Sequence, residues 1–138
     1  PAGRIATLNA RAGEREVFLA VMHTTAGYTA GDQDCRISQL GALAEAVAAL
    51  PPETAVIVGG DINHDAGSDS DDAAAFQAML DAGGLQRLED DGHTAVLLGA
   101  DLDAVATRGV LEGAACAVRS LDADDAEPMF DHALLDCQ

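Results

Sequence analysis

The chain has 138 residues, 49% of them hydrophobic, yet only Phe18, Tyr28, Phe76 and Phe130 are aromatic. That length suits one domain, and its core must be built from Ala, Val, Leu and Ile, a composition that fits alternating α and β elements. The 24 acidic residues face seven Arg and no Lys, for a formal net charge of −17, which disfavours non-specific nucleic-acid binding unless metal ions or a local Arg patch screen the phosphates.

Because the chain begins at Pro1 and not Met, it reads as a processed or excised piece. "RIATLNA" and "REVFLAVMHT" are β-leaning runs separated by "RAGE", whose Gly13 supplies a turn, so they predict an antiparallel hairpin ending at His23. From "GDQDC" the period changes. Ile37, Leu40, Leu43, Ala44, Val47 and Leu50 recur at helical spacing, with Asp32 or Asp34 as N-cap and Pro51-Pro52 as the stop. "TAVIVGG" is apolar on both faces and predicts a buried strand. After an acidic Gly/Ser loop, "SDDAAAFQAMLDAGG" predicts a second helix capped by Ser70, with Phe76, Met79 and Leu80 on one stripe and Gly83-Gly84 as terminator. "TAVLL", "LDAVATRG", "AACAVRSL" and "FDHALLDC" are short β-leaning segments that complete the chain.

Cys35, Cys116 and Cys137 are odd in number, far apart and without a CxxC, so they signal neither a disulfide framework nor a zinc ribbon and read as small core hydrophobes. No stretch approaches the roughly 18 apolar residues of a membrane span, and no charged-then-apolar leader opens the chain.

Polar residues gather at the ends of the predicted strands. His23 ends one, Asp61 and Asn63 end another, Asp103 lies in or just before a third, and Asp131-His132 opens the last. Strand-end loops are where a rigid scaffold presents functional groups. Carboxylates, an amide and imidazoles converging on one sheet edge suit binding of a hard divalent cation, orientation of a water and proton transfer, the needs of phosphoester hydrolysis. His64 reads as a solvated loop residue and His93 as a turn residue.

These residues carry a resemblance. "VIVGGDIN" resembles the strand and GDxN signature of the endonuclease/exonuclease/phosphatase superfamily, the metal-dependent phosphoesterases related to deoxyribonuclease I. "VFLAVMHT" is similar to that family's preceding strand ending in His, "RISQLGALAEAV" to its intervening helix with Arg and Gln, "LDAVATRG" to its later Asp segment, and "FDHALL" to its terminal SDH segment, with Phe130 in place of Ser. The resemblance implies that Asp61 orients or deprotonates the attacking water and that Asn63 holds the scissile phosphate. It implies further that His132 contacts the phosphate with its ring oriented by Asp103, and that His23 stabilises charge or donates a proton on the leaving side. Asp131 and Asp61 would lie at the metal, Mg²⁺ or Mn²⁺.

The chain resembles only the second of the family's two βα halves. The first half supplies an Asn and the Glu that is the principal metal ligand, and Asn9, Glu14 and Glu16 lie in or beside the hairpin where they cannot replace them. The implied fold is therefore α/β (α+β), half of a four-layer α/β/β/α sandwich, with a mostly antiparallel or mixed sheet and two covering helices in one domain over residues 1–138. One sheet face would be left apolar and open, for an N-terminal half domain or a second copy to cover. The implied function is metal-dependent phosphoester hydrolysis, with a nucleic acid or a small phosphodiester as substrate; the alternative is a truncated or degenerate domain of that ancestry that binds without catalysing. The charge of −17 tilts the substrate towards a small or metal-screened phosphoester. A calcium loop in "DAGSDSDDAAAF" fails because its sixth position is Ser70 and its twelfth is Phe76. No G-x-S-x-G elbow and no H-E-x-x-H occur.

Overall fold

The two opening runs fold back on each other as antiparallel strands β1 (Ile5–Ala12) and β2 (Arg15–His23), paired from Ile5↔Met22 to Ala12↔Arg15. Gly13 makes the tight turn at φ 63°, a backbone region that costs glycine nothing. The structure, a computed structural model, describes residues 4–65, 68–90, 92–95, 102–110, 114–119 and 134–137.

Helix α1 (Ala30–Ala48) begins before either aspartate expected to cap it, because Thr29 is the N-cap. Its hydroxyl accepts from the Asp32 N–H at 3.2 Å, while the Asp32 carboxylate accepts from the Thr29 hydroxyl at 2.6 Å and the Thr29 N–H at 3.0 Å. This reciprocal box satisfies two orphan donors of the first turn and places Asp32 where the helix dipole favours an anion. The Thr29 hydroxyl, then its backbone N–H, hold the Asp32 carboxyl below its ordinary pKa. Leu40, Leu43 and Val47 form the buried stripe.

Strand β3 (Ala55–Asp61) returns parallel to β2, in register from Val17↔Ala55 to His23↔Asp61. Helix α2 (Asp71–Gly83) starts at Ser70, whose hydroxyl accepts from the Ala73 N–H, and stops at Gly84 in the left-handed conformation, as the sequence predicts. A two-residue strand, β4 (Gln86–Arg87), was not expected. With β5 (Asp103–Arg108) it completes a five-stranded mixed sheet of order β1-β2-β3-β5-β4, in which β5 runs antiparallel to both β3 and β4. Arg108 ties this end of the sheet to the helix ends, donating to the carbonyls of Gly83, Thr54 and Pro51.

Alternation along the strands decides what each face does. Phe18, Ala20 and Met22 of β2, Val56 and Val58 of β3, and Ala104 and Ala106 of β5 pack beneath Leu40, Leu43 and Val47 of α1 and Phe76, Met79 and Leu80 of α2. The opposite face carries Val17, Leu19, Val21, Ile57 and Val105. It is less covered, with Val21 65% and Leu8 58% exposed. This arrangement is a partial α/β sandwich.

The cysteines depart from expectation. Strands β6 (Cys116–Arg119) and β7 (Leu134–Cys137) pair antiparallel with Cys116 opposite Cys137, and the two sulfurs form a disulfide. Residues 21 apart became neighbours through strand register, which spacing alone does not reveal. Cys35 is a free, partly buried thiol. The expected strand "TAVLL" is described only at Thr94 and Ala95, and the "FDHALLDC" strand only over Leu134–Cys137. Among the described residues no helix is long and apolar enough to cross a membrane.

Candidate active site

Strands β2 and β3 end, and β5 begins, on a row of three polar residues at one level of the sheet. His23 is the register partner of Asp61, and Asp61 is the register partner of Asp103. Register partners on adjacent strands point to the same face, so all three side chains stand on the less covered side, opposite the helices. His23 Nε2 lies 3.4 Å from Asp61 Oδ2; the imidazole is 61% exposed and the carboxylate 19%.

The glycine directly before Asp61 makes the strand end possible. Gly60 has φ 132°, and a Cβ there would lie 2.0 Å from the Met22 carbonyl oxygen. Only a residue without a side chain lets β3 approach β2 so closely at the level of the site.

Beyond Asp61 the chain makes a tight turn that presents Asn63. The Asn63 N–H donates to Asp61 Oδ1 at 2.7 Å, and Asn63 itself sits at φ 50°, a left-handed conformation that Asn tolerates. Its side-chain Nδ2 donates to the Thr24 carbonyl at 3.1 Å. Thr24, fully buried just after β2, clamps the same turn: its N–H donates to the Asp61 carbonyl at 2.9 Å and its hydroxyl to the Ile62 carbonyl at 2.6 Å. On the far side the Thr94 hydroxyl accepts from the backbone N–H groups of Leu102 and Asp103 at 3.0 and 2.9 Å, which sets where β5 begins. His23, Asp61, Asn63 and Asp103 are thus brought to one end of the sheet. Asp131 and His132, and Phe130 with them, lie outside the described residues.

Behind this end, sequence reasoning missed a buried ion pair. Arg36 Nη2 of α1 donates to Asp72 Oδ2 of α2 at 2.9 Å, with both side chains over nine-tenths buried. Arg36 Nη1 also donates to the carbonyls of Thr25 and Gly27, and Gln39 Oε1 accepts from the Thr25 N–H. A signal was present: Arg36 stands four residues before Leu40, and Asp72 four before Phe76, so each charge falls on its helix's apolar stripe. Two opposite charges at core positions of two neighbouring helices imply that they pair. His64 is a second departure, being buried and not solvated.

Among the described residues no group of three or more His, Cys, Asp or Glu side chains is arranged to hold a metal ion. Asp61 and Asp103 are hard oxygen donors on adjacent strands, and a cation of the magnesium type keeps several waters and is commonly held by only one or two carboxylates plus substrate phosphates.

No family model matches the sequence, and no curated protein matches it. Solved structures do match in fold. A variant of beta toxin from Staphylococcus aureus with bound magnesium ions superposes over 96% of this chain and 53% of its own, with a TM-score of 0.67 and 14% identity. Sphingomyelinase C from Streptomyces griseocarneus covers 94% of this chain and 53% of its own, with a TM-score of 0.63 and 19% identity. D. rerio TDP2 complexed with single strand DNA product covers 94% and 58%, with a TM-score of 0.66 and 14% identity. The chain spans little more than half the length of each. At these identities the likeness is one of backbone architecture. All three neighbours belong to the deoxyribonuclease I-like endonuclease/exonuclease/phosphatase superfamily, and this chain has the corresponding part of that superfamily's fold.

Proposed function

We propose that this chain is the working part of a phosphoester hydrolase that acts on phosphodiesters. The observation that carries the reading is the His23, Asp61, Asp103 row with Asn63 turned in beside it. Asp61 is held from two sides, by the Asn63 N–H on Oδ1 and by the His23 ring near Oδ2. A carboxylate so fixed orients a water and accepts its proton as the water attacks phosphorus. Asn63, whose amide is held by the Thr24 carbonyl, fixes the phosphate in line. His23, mostly exposed, stabilises charge or returns a proton on the leaving-group side. The role proposed for Asp103 is to orient the His132 ring, which would contact the phosphate.

Mg²⁺ or Mn²⁺ is the proposed cofactor, with Asp61 and Asp131 as its ligands from this chain; such an ion polarises a phosphoryl oxygen. The remaining ligands would come from outside the described residues, and the less covered apolar face of the sheet suits a covering half domain or a second copy. The substrate would be a small phosphodiester or a metal-screened nucleic acid, since a charge of −17 repels bare polyanions.

The experiment is hydrolysis of bis-(p-nitrophenyl) phosphate with and without Mg²⁺, by this chain and by the longest polypeptide that carries it. Metal-dependent turnover in the latter, reduced at least about a hundredfold by Asp61→Ala and by Asn63→Ala, is the expected result. Turnover that survives Asp61→Ala, or none in either protein, would refute the reading and favour the non-catalytic alternative.

A further inference from the structure

Directly after the Asp61–Asn63 turn the chain dives inward, and His64 is only 7% exposed. Its Nδ1 lies 2.9 Å from the Ile62 carbonyl oxygen. Its ring meets Phe76 of α2 edge-on, with centroids 5.9 Å apart and planes at 71°. A carbonyl oxygen can only accept, so Nδ1 must carry a hydrogen. In a neutral ring Nε2 is then a bare acceptor. Burial, the largest influence, pushes the imidazole towards that neutral form.

The Ile62 carbonyl is gripped from two sides, by the His64 ring and by the Thr24 hydroxyl at 2.6 Å. Each loop leaving the strand ends of the site is therefore anchored from behind by buried polar groups. Arg36 and Gln39 of α1 hold the loop after β2, and His64 holds the turn after β3. Around them, His64 Nε2, Asp72 Oδ1, Arg36 Nε and Gln39 Nε2 are buried and lack partners among the described residues. The charged groups that act on the ring are Asp72 from α2, Arg36 from α1 and its own neighbour Asp65.

We propose that His64 is a positioning residue: as the neutral Nδ1–H tautomer, seated against Phe76, it pins the Ile62 carbonyl and so fixes how Asp61 and Asn63 are presented. The inference takes Asp61 and Asn63 to be the working residues, as in the proposed function, but its test needs no turnover.

Two measurements on the full chain decide it. Nitrogen NMR of His64 at about pH 7 should show a neutral ring protonated at Nδ1; an Nε2–H tautomer or a charged ring overturns the proposal. Amide hydrogen exchange is then compared at Asn63, whose N–H donates to Asp61 Oδ1, and at Val58 in the middle of β3. His64→Phe keeps a ring against Phe76 but removes the donor, and should speed exchange at Asn63 about tenfold with Val58 unchanged. His64→Asn restores an N–H near the Nδ1 position and should restore protection. Unaltered Asn63 exchange in His64→Phe, equal acceleration at both amides, or no rescue by His64→Asn each overturns the proposal. If His64→Phe does not fold, the tautomer of the native chain decides. Absent hydrolysis with the expected NMR results would remove the phosphoester reading and leave the role of His64 standing.

Discussion

Arg36 and Asp72 are joined by a 2.9 Å contact between two side chains that are each over nine-tenths buried, and this bond links α1 to α2 directly behind the end of the sheet that carries the candidate site. Arg36 also decides how the loop after β2 sits, because its Nη1 donates to the carbonyls of Thr25 and Gly27.

Removing one partner strands the other charge in the core. Arg36→Met should cost about 3 to 5 kcal/mol of unfolding free energy, and Arg36→Met combined with Asp72→Leu should recover most of that. Urea denaturation of Arg36→Met, Asp72→Leu, the double variant and the parent closes the cycle. A double variant as unstable as the single one would mean that the Thr25 and Gly27 hydrogen bonds dominate.

Adjacent glycines should behave differently. A Cβ at Gly60 would lie 2.0 Å from the Met22 carbonyl at φ 132°, whereas one at Gly59 would make ordinary contacts of 3.5 Å with the Ala104 carbonyl oxygen and Val105 Cγ2. Gly60→Ala is expected to destabilise by about 3 kcal/mol or more, and Gly59→Ala by no more than about 1 kcal/mol. Thermal unfolding of both variants is the check.

His64 should make stability depend on pH. Its folded pKa lies below the ordinary 6.5, so the unfolded chain binds more protons in the window beneath 6.5. The contribution of the neutral buried ring is complete above that value and is lost as pH falls through the folded pKa. Denaturation midpoints measured at about pH 7.5 and about pH 5.5 should differ less in His64→Asn than in the parent. The same difference in both proteins would assign the pH dependence to other groups.

The thiols offer a direct count. One free thiol, Cys35, should react in the unfolded oxidised chain, and all three cysteines after reduction. Closing a loop across a separation of 21 residues is worth about 3 kcal/mol in the chain-entropy account, so reduction or Cys116→Ser should lower stability by roughly that much. Thiol titration and urea melts with and without reductant test both statements.

Local chemistry determined much of this protein by itself. Helical spacing from Ile37 to Val47 marked α1, Ser70 and Gly83-Gly84 bounded α2, and alternation with Gly13 made the hairpin, because caps, turns and periodicity act over a few residues. The strand-end positions of His23, Asp61, Asn63 and Asp103 were legible for the same reason. The sequence leaves the cap of α1 ambiguous because Asp32, the N3 partner of Thr29 in the capping box, has the same capping chemistry. Tertiary structure alone decided the rest. The Cys116 to Cys137 disulfide follows from the β6–β7 register, and the Arg36 to Asp72 pair from the packing of two helices on one face of the sheet. His64 looked like a loop histidine until α2 placed Phe76 against it. In each case the determining contact joins residues distant in sequence, and whether a polar side chain meets water or a buried partner is fixed only when the elements carrying both have packed.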